Sequence, residues 1–151
     1  MSVYKIVVNG DEVLRLKAKG IQEVNANTLK LLDNLKDTLY STSNGIGLAA
    51  PQIGISKRVA IVELDDVLYE LINPEIIMRE GSQTDFEGCL SVPGMEGEVT
   101  RANNVKVRAL NRRGEKTEIT GEGLLARAFQ HEIDHLDGIL FIDKAQNIRP
   151  E

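Results

Sequence analysis

Both histidines of this 151-residue chain fall in one run, His131-Glu132-Ile133-Asp134-His135, and that run constrains the fold more than any other segment. Residues four apart stack on the same face of an α-helix, so a helix here lets two imidazoles close on one cation. The intervening Glu132 points roughly a sixth to a third of a turn away from each histidine, where a base reaches a metal-bound water. A satisfied pair of surface histidines is the bland alternative. It fits poorly with a chain whose only two histidines are placed around a glutamate. Leu124, Ala128, His131 and His135 share one stripe, so the imidazoles continue an apolar, inward face, where a metal is the economical partner for a buried ring. Asp134 and Asp137 lie off the stripe and are expected to be solvated, Asp137 at the unfavourable end of the helix dipole.

Composition narrows the functional classes. The length suits one domain spanning residues 1–151 with a real core. Hydrophobic (42%) and charged (27%) fractions are those of an ordinary globular protein. A net charge of −5 argues against a dedicated nucleic-acid binder, and the absence of tryptophan argues against base-stacking platforms. No signal-peptide pattern and no membrane-length apolar run occur, so a cytoplasmic protein is expected. The single cysteine cannot form an internal disulfide, which fits a reducing compartment. Cys89 is therefore a buried hydrophobe, a ligand or a nucleophile.

The pattern along the chain predicts an α+β fold. A helix is expected from about Asn27 to Ser41, with Leu29, Leu32, Leu35 and Leu39 as its apolar stripe and Asn44-Gly45 as its stop. Val59 to Leu64 reads as a buried strand, paired with Leu68 to Ile72 across an Asp65-Asp66 turn. Val105, Val107 and Ala109 alternate with Lys106 and Arg108 as a half-buried strand. Asn111 to Gly114 reads as a hairpin turn into a strand around Ile119. A second helix is expected from Leu124 to Asp137, ended by Gly138.

A catalytic site of this kind needs a third protein ligand. Only sixteen residues follow His135, without histidine or cysteine and with Asp137, Asp143 and Glu151 as their acids. The third ligand is therefore sought upstream, and Cys89 in Glu87-Gly88-Cys89-Leu90-Ser91 is the candidate. Gly88 permits close backbone approach, and Ser91-Val92-Pro93-Gly94 turns the chain. A small buried hydrophobe remains the competing reading of Cys89. A nucleophilic role is disfavoured because a metal-bound histidine cannot serve as its base. Gly45-Ile46-Gly47-Leu48-Ala49-Ala50-Pro51-Gln52 lacks the Lys-Ser/Thr of a phosphate cradle. It reads instead as a tight loop laying backbone beside a ligand, with the Gln52 amide in the same site.

Taken in order, Gly45 to Gln52, Glu87 to Ser91 and His131 to His135 resemble the three signature motifs of peptide deformylases, without a substitution. Gln130, Leu136 and Gly138 agree at the flanks. The resemblance implies an α+β fold with antiparallel strands packed around the late helix. It also implies a metal-dependent hydrolase that removes the formyl group from N-formylmethionine of nascent polypeptides and releases formate. Cys89, His131 and His135 would be the metal ligands and Glu132 the general acid/base. Gln52 and the Leu90 N–H would form the oxyanion hole, Gly47 would hydrogen-bond substrate backbone, and Ile46 would wall the methionine pocket. Iron(II) is the expected ion, with zinc, nickel or cobalt as alternatives, since one thiolate and two imidazoles suit all four. Such an ion lowers the pKa of water to about 7.

Two features depart from the common pattern. Asn44 stands where many members carry an acid, leaving Arg101 and Glu87 as candidates to support the ligands. The tail Asn147 to Glu151 is too short for the C-terminal helix that some members use at the ribosome, which puts that contact in question. The rival readings are a general His-Glu-x-x-His metallopeptidase, which needs a downstream ligand and no Gln52, and a structural metal module, which needs a fourth ligand and no Glu132.

Overall fold

The computed structural model describes residues 2–43 and 45–151. Asn44, part of the expected helix stop and the departure noted above, lies outside them. Helix α1 (Ala26–Tyr40) starts one residue earlier than expected because Asn25 caps it, accepting the N–H groups of Asn27 at 3.1 Å and Thr28 at 3.2 Å. Its core-facing residues are Leu31, Leu32, Leu35 and Leu39; Leu29, assigned to the stripe from sequence, is only half-buried at the margin.

Strands β1 (Gly47–Ala49), β2 (Val59–Leu64), β3 (Val67–Glu80), β6 (Asn104–Leu110) and β7 (Lys116–Glu122) make a five-stranded sheet in the order β1-β2-β3-β6-β7. Strands β4 (Gln83–Cys89), β5 (Val92–Arg101) and β8 (Gln146–Pro150) make a second sheet in the order β4-β5-β8. Every pairing is antiparallel. Successive side chains of a strand point to opposite faces, and β2 is apolar on both. Val59 and Ile61 pack with the leucines of α1, whereas Val62 packs with Phe129 and Ile133 of helix α2 (Leu124–Leu136). The two helices therefore cover opposite faces of the large sheet, and α2 also touches β5 of the small one. This is the α+β arrangement of antiparallel strands around the late helix that the sequence predicts.

The expected hairpins are present. Asp65 and Asp66 both take positive φ (53° and 65°), the geometry of a tight two-residue turn, and the Asn111 side chain accepts the N–H groups of Arg113 and Glu115. Strand β3 runs well past Ile72, with register shifts around Asn73-Pro74-Glu75, where proline is tolerated only because the ladder is already broken. Strands β1, β4 and β5 are absent from the sequence reading: Gly45 to Gln52 reads as a tight loop but holds β1 and most of a single 3-10 turn (Ala50–Ile53), and Gln83 to Gly88 is polar and lacks alternation. The turn expected at Ser91–Gly94 falls at Leu90 and Ser91, with Pro93 and Gly94 already in β5. The C-terminal segment is a strand, β8, along β5.

Candidate metal centre

The site forms where α2 faces β4. Helix α2 is held in place from several sides. The Gln130 side chain accepts Ala102 N–H at 3.1 Å and donates to Ala102 O at 2.9 Å. Arg58 Nη1 and Ala18 N–H both donate to Leu136 O at 2.8 Å, satisfying a carbonyl at the helix end. Gly138 ends the helix with φ of 75°, and a Cβ there would meet Arg15 O at 2.6 Å.

From the opposite side, the register of β4 on β5 shifts between Gly88 and Cys89, and a bulge of this kind re-aims a side chain. Cys89 Sγ comes to 3.3 Å from His135 Nε2, which is itself 3.3 Å from His131 Nε2. Ligands at tetrahedral positions about 2.0–2.3 Å from a common ion stand roughly 3.3–3.6 Å apart. The three donor atoms thus already hold the spacing of a metal site. They lie within 4.8 Å of one another, and His135 is 1% exposed with no hydrogen-bond partner for its Nδ1. Burial pushes His135 well below its usual pKa, towards the neutral form a ligand requires.

Buried charges orient the ligands. His131 Nδ1 lies 2.9 Å from Glu87 Oε1, so an Nδ1–H donated to this carboxylate leaves the Nε2 lone pair free. Burial works against an ionised Glu87, but Arg101 and His131 outweigh it and hold the carboxyl well below its ordinary range. Arg101 grips Glu87 through Nε and Nη2, both at 2.9 Å, and reaches Asp134 with Nη1 at 2.6 Å. Arg127 adds another bond to the same carboxylate. Glu87 and Arg101 therefore do stand behind a candidate ligand. Two expectations are corrected: Asp134 is tied to Arg101 and to Lys144 (3.1 Å), and Asp137 pairs with Arg58 at 3.0 Å. Neither acid is simply solvated: Asp134 faces Arg101 of β5 and Lys144 after the helix, and Asp137 faces Arg58, just before β2.

Ile46, Gly47, Gln52, Leu90 and Glu132 line one cavity of about 470 Å³ together with Cys89 and His131, while His135 sits behind it. Gln52 is held in one orientation, since its Oε1 accepts Ala49 N–H at 3.0 Å. Its Nε2 consequently faces Cys89 Sγ (3.6 Å) and Ser91 Oγ (3.2 Å). Glu132 lies over Gly47, where an added Cβ would meet its Oε2 at 2.5 Å, so the small residue makes room for the carboxylate. Glu132 is 4% exposed and its Oε1 has no partner. Burial pushes its carboxyl up to about 7; His131 and Arg101 oppose the rise, and Glu87 and Asp134 add to it. Leu124, assigned to the inward stripe, is instead 52% exposed on the cavity wall. It belongs to the first turn of α2, beyond the strands that cover the rest of the helix. Arg127 escaped the sequence reading, and Ser91 entered it only as part of a motif and a turn, without a role in the site. Arg127 lies four residues before His131 and so on the same helical face, which was the available signal.

A sequence profile described as polypeptide deformylase matches residues 3–151. The peptide deformylase of Carboxydothermus hydrogenoformans is 60% identical over 148 residues, covering 98% of this chain and 97% of that one. The crystal structure of peptide deformylase from Thermotoga maritima superimposes with a TM-score of 0.93 at 41% identity, covering 97% of this chain and 99% of the other. A Met-Ala-Ser-bound peptide deformylase from Acinetobacter baumannii, class I type b, superimposes with a TM-score of 0.88 at 40% identity, covering 95% and 99%. The fold, the convergent Cys/His cluster and matches over nearly the whole length agree, and this chain belongs to the polypeptide deformylase family.

Proposed function

We propose that this protein removes the formyl group from N-formylmethionine at the start of newly made polypeptides, releasing formate and a free amino terminus. One observation carries the reading: Cys89, His131 and His135 converge beside a buried carboxylate and an oriented amide in a single cavity. Their donor set and spacing fit a divalent ion, and iron(II) is the ion we assign, with zinc, nickel or cobalt also accepted by one thiolate and two imidazoles. When bound, such an ion polarises the formyl carbonyl and makes water more acidic.

The remaining steps belong to the protein. Glu132 takes a proton from the attacking water as its oxygen bonds to the formyl carbon. It returns that proton to the amine nitrogen as the C–N bond breaks. The Gln52 amide and the Leu90 N–H donate to the oxygen that becomes negative, and losing one such donor typically costs about 2.7–4 kcal/mol. β1 is the edge strand of its sheet, so Gly47 can present backbone groups to an extended peptide, and Ile46 contributes to an apolar wall for methionine. The peptide held by the Acinetobacter relative supports this class of substrate.

Residues 1–151 are read as one catalytic domain, since both sheets and α2 contribute to the same cavity. Among the described residues no helix is long and apolar enough to cross a membrane. A cytoplasmic location and a transient ribosome contact belong to the same reading, because the substrate is the amino terminus of a chain under synthesis. The test is formate release from a formyl-Met peptide after anaerobic loading with iron or nickel. No formate from metal-loaded protein would overturn the activity. Cys89→Ala should bind less than a tenth of the wild-type metal by elemental analysis; normal metal content would refute the ligand set.

A further inference from the structure

The two proposed oxyanion donors come from different sheets. Gln52 lies in the 3-10 turn that follows β1 of the large sheet, and Leu90 lies between β4 and β5 of the small one. Their separation is therefore set by whatever clamps these two segments together. Among the described residues, the hydrogen bonds made directly between the segments start from the Gln52 side chain, whose Nε2 donates to Ser91 Oγ at 3.2 Å and faces Cys89 Sγ at 3.6 Å. Ser91 is fully buried.

A third segment spans both. Val7 N–H donates to Gln52 O at 2.9 Å and, two residues on, Asn9 N–H donates to Ser91 O at 2.7 Å. The Val7 side chain packs on the cluster containing Leu14, Val92 and Phe141, as Cys89 does, whereas Val8 is 49% exposed. The segment is anchored on either side. Upstream, Tyr4 N–H donates to Thr38 Oγ1 of α1 at 2.9 Å; downstream, the Asp11 side chain accepts Val13 N–H at 3.1 Å, and Leu14 is inaccessible. Residues 7–9 thus form a strap held by helix and core, and its two amides fix one carbonyl on each side of the seam. A misplacement of about 1 Å can cost about 10²-fold in rate, so a clamp at this point bears on turnover.

We propose that Val7 and Asn9 are positioning residues for deformylation: their backbone amides clamp the Gln52 and Leu90 segments at the spacing the oxyanion needs, with the Ser91 hydroxyl as a third tie. The inference rests on the deformylase reading. The two amides have separate targets, Val7 acting through Gln52 and Asn9 through the turn at Leu90 and Ser91.

The experiment replaces Val7 or Asn9 by its α-hydroxy acid, through amber suppression in cell-free translation, so that an ester keeps the side chain and removes only the donor. Metal-loaded proteins are compared on formyl-Met-Ser-Ser, with Gln52 intact and in a Gln52→Ala background. Each ester should lower kcat by about tenfold to hundredfold, with KM and metal content near those of wild type. In Gln52→Ala the Val7 ester should cost less than about twofold further, while the Asn9 ester keeps its full loss. An unchanged kcat overturns the proposal. So does a Val7 loss of equal size in both backgrounds, which a merely structural role would give. Should the Val7 ester fail to fold, Ser91→Ala carries the same cycle with the same expected and overturning results. Formate from wild type in either overturning case leaves the deformylase reading standing; no formate from wild type removes that reading and this one with it.

Discussion

The interface between α1 and the large sheet is sealed by leucines, whereas the seam between α2 and the small sheet is sealed by charges. Under α1, Leu31, Leu32, Leu35 and Leu39 meet Leu48, Val59, Ile61 and Ile72, all nearly inaccessible. In the seam the buried side chains include Glu87, Arg101, Arg127, Gln130 and Glu132. Apolar packing yields stability in proportion to the area removed from water and has little directional demand. A buried ion network gives less net stability, because both charges must be desolvated, but every bond in it has a direction. The protein places the directional material where lone pairs must be aimed and the non-directional material where layers need only stay together.

That division can be broken in several places. The largest effect should come from Glu132→Gln, which preserves shape over Gly47 but cannot take a proton. Turnover should fall by about 10²–10⁴-fold with metal content and melting temperature retained, as read by formate release, elemental analysis and calorimetry; an active variant would remove Glu132 from its role. Arg101→Met should leave the Glu87 carboxylate buried without its bidentate partner. We expect a loss of about 3–5 kcal/mol in chemical denaturation and metal affinity weaker by about 10–100-fold, so a variant that loses stability alone would show the network to be merely structural. Leu35→Ala should cost about 2–5 kcal/mol while the folded fraction keeps its kcat, the converse result that sharpens the contrast between the two regions.

The smallest effect concerns Asp143, outside both regions. Burial works against its charge, but Arg15 at 2.6 Å and the Leu140 N–H at 3.0 Å lower its pKa overall. A carboxylate depressed in the folded state stabilises above its unfolded pKa and loses that contribution as pH falls through the folded value. The pair is more than one-third exposed. Asp143→Asn should therefore cost less than about 1 kcal/mol at neutral pH and converge with wild type in acid, as measured by urea midpoints across that range.

Periodic segments were legible from the chain because burial leaves a local imprint. The α1 stripe, the two-faced apolar run Val59–Val62, the alternation at Val105–Ala109 and the positive-φ turn at Asp65-Asp66 were each readable within a few residues. In these segments the membership of Leu29 and the length of β3 were misjudged, and in the second helix Leu124 was wrongly placed on the inward stripe. β4 and β5 left no such imprint. Val92 and Val99 point inward there, but so do Glu87, Cys89 and Arg101, which look like surface residues until their partners are known.

The site divides along the same line. The two histidines four apart and the glutamate between them pointed to a helix carrying a metal site from local geometry alone. The partners of those groups arose from chain crossings that no local pattern encodes. Asp134 was expected in solvent and is paired because Arg101 and Lys144 fold back onto α2. Gln52 aims its amide because Ala49 fixes the carbonyl, and Glu151 reaches the cavity because β8 pairs with β5. Helical and strand periodicities are short-range and written in neighbouring residues. The protonation, orientation and charge of a buried site depend on groups distant in sequence, which only the packed chain brings together.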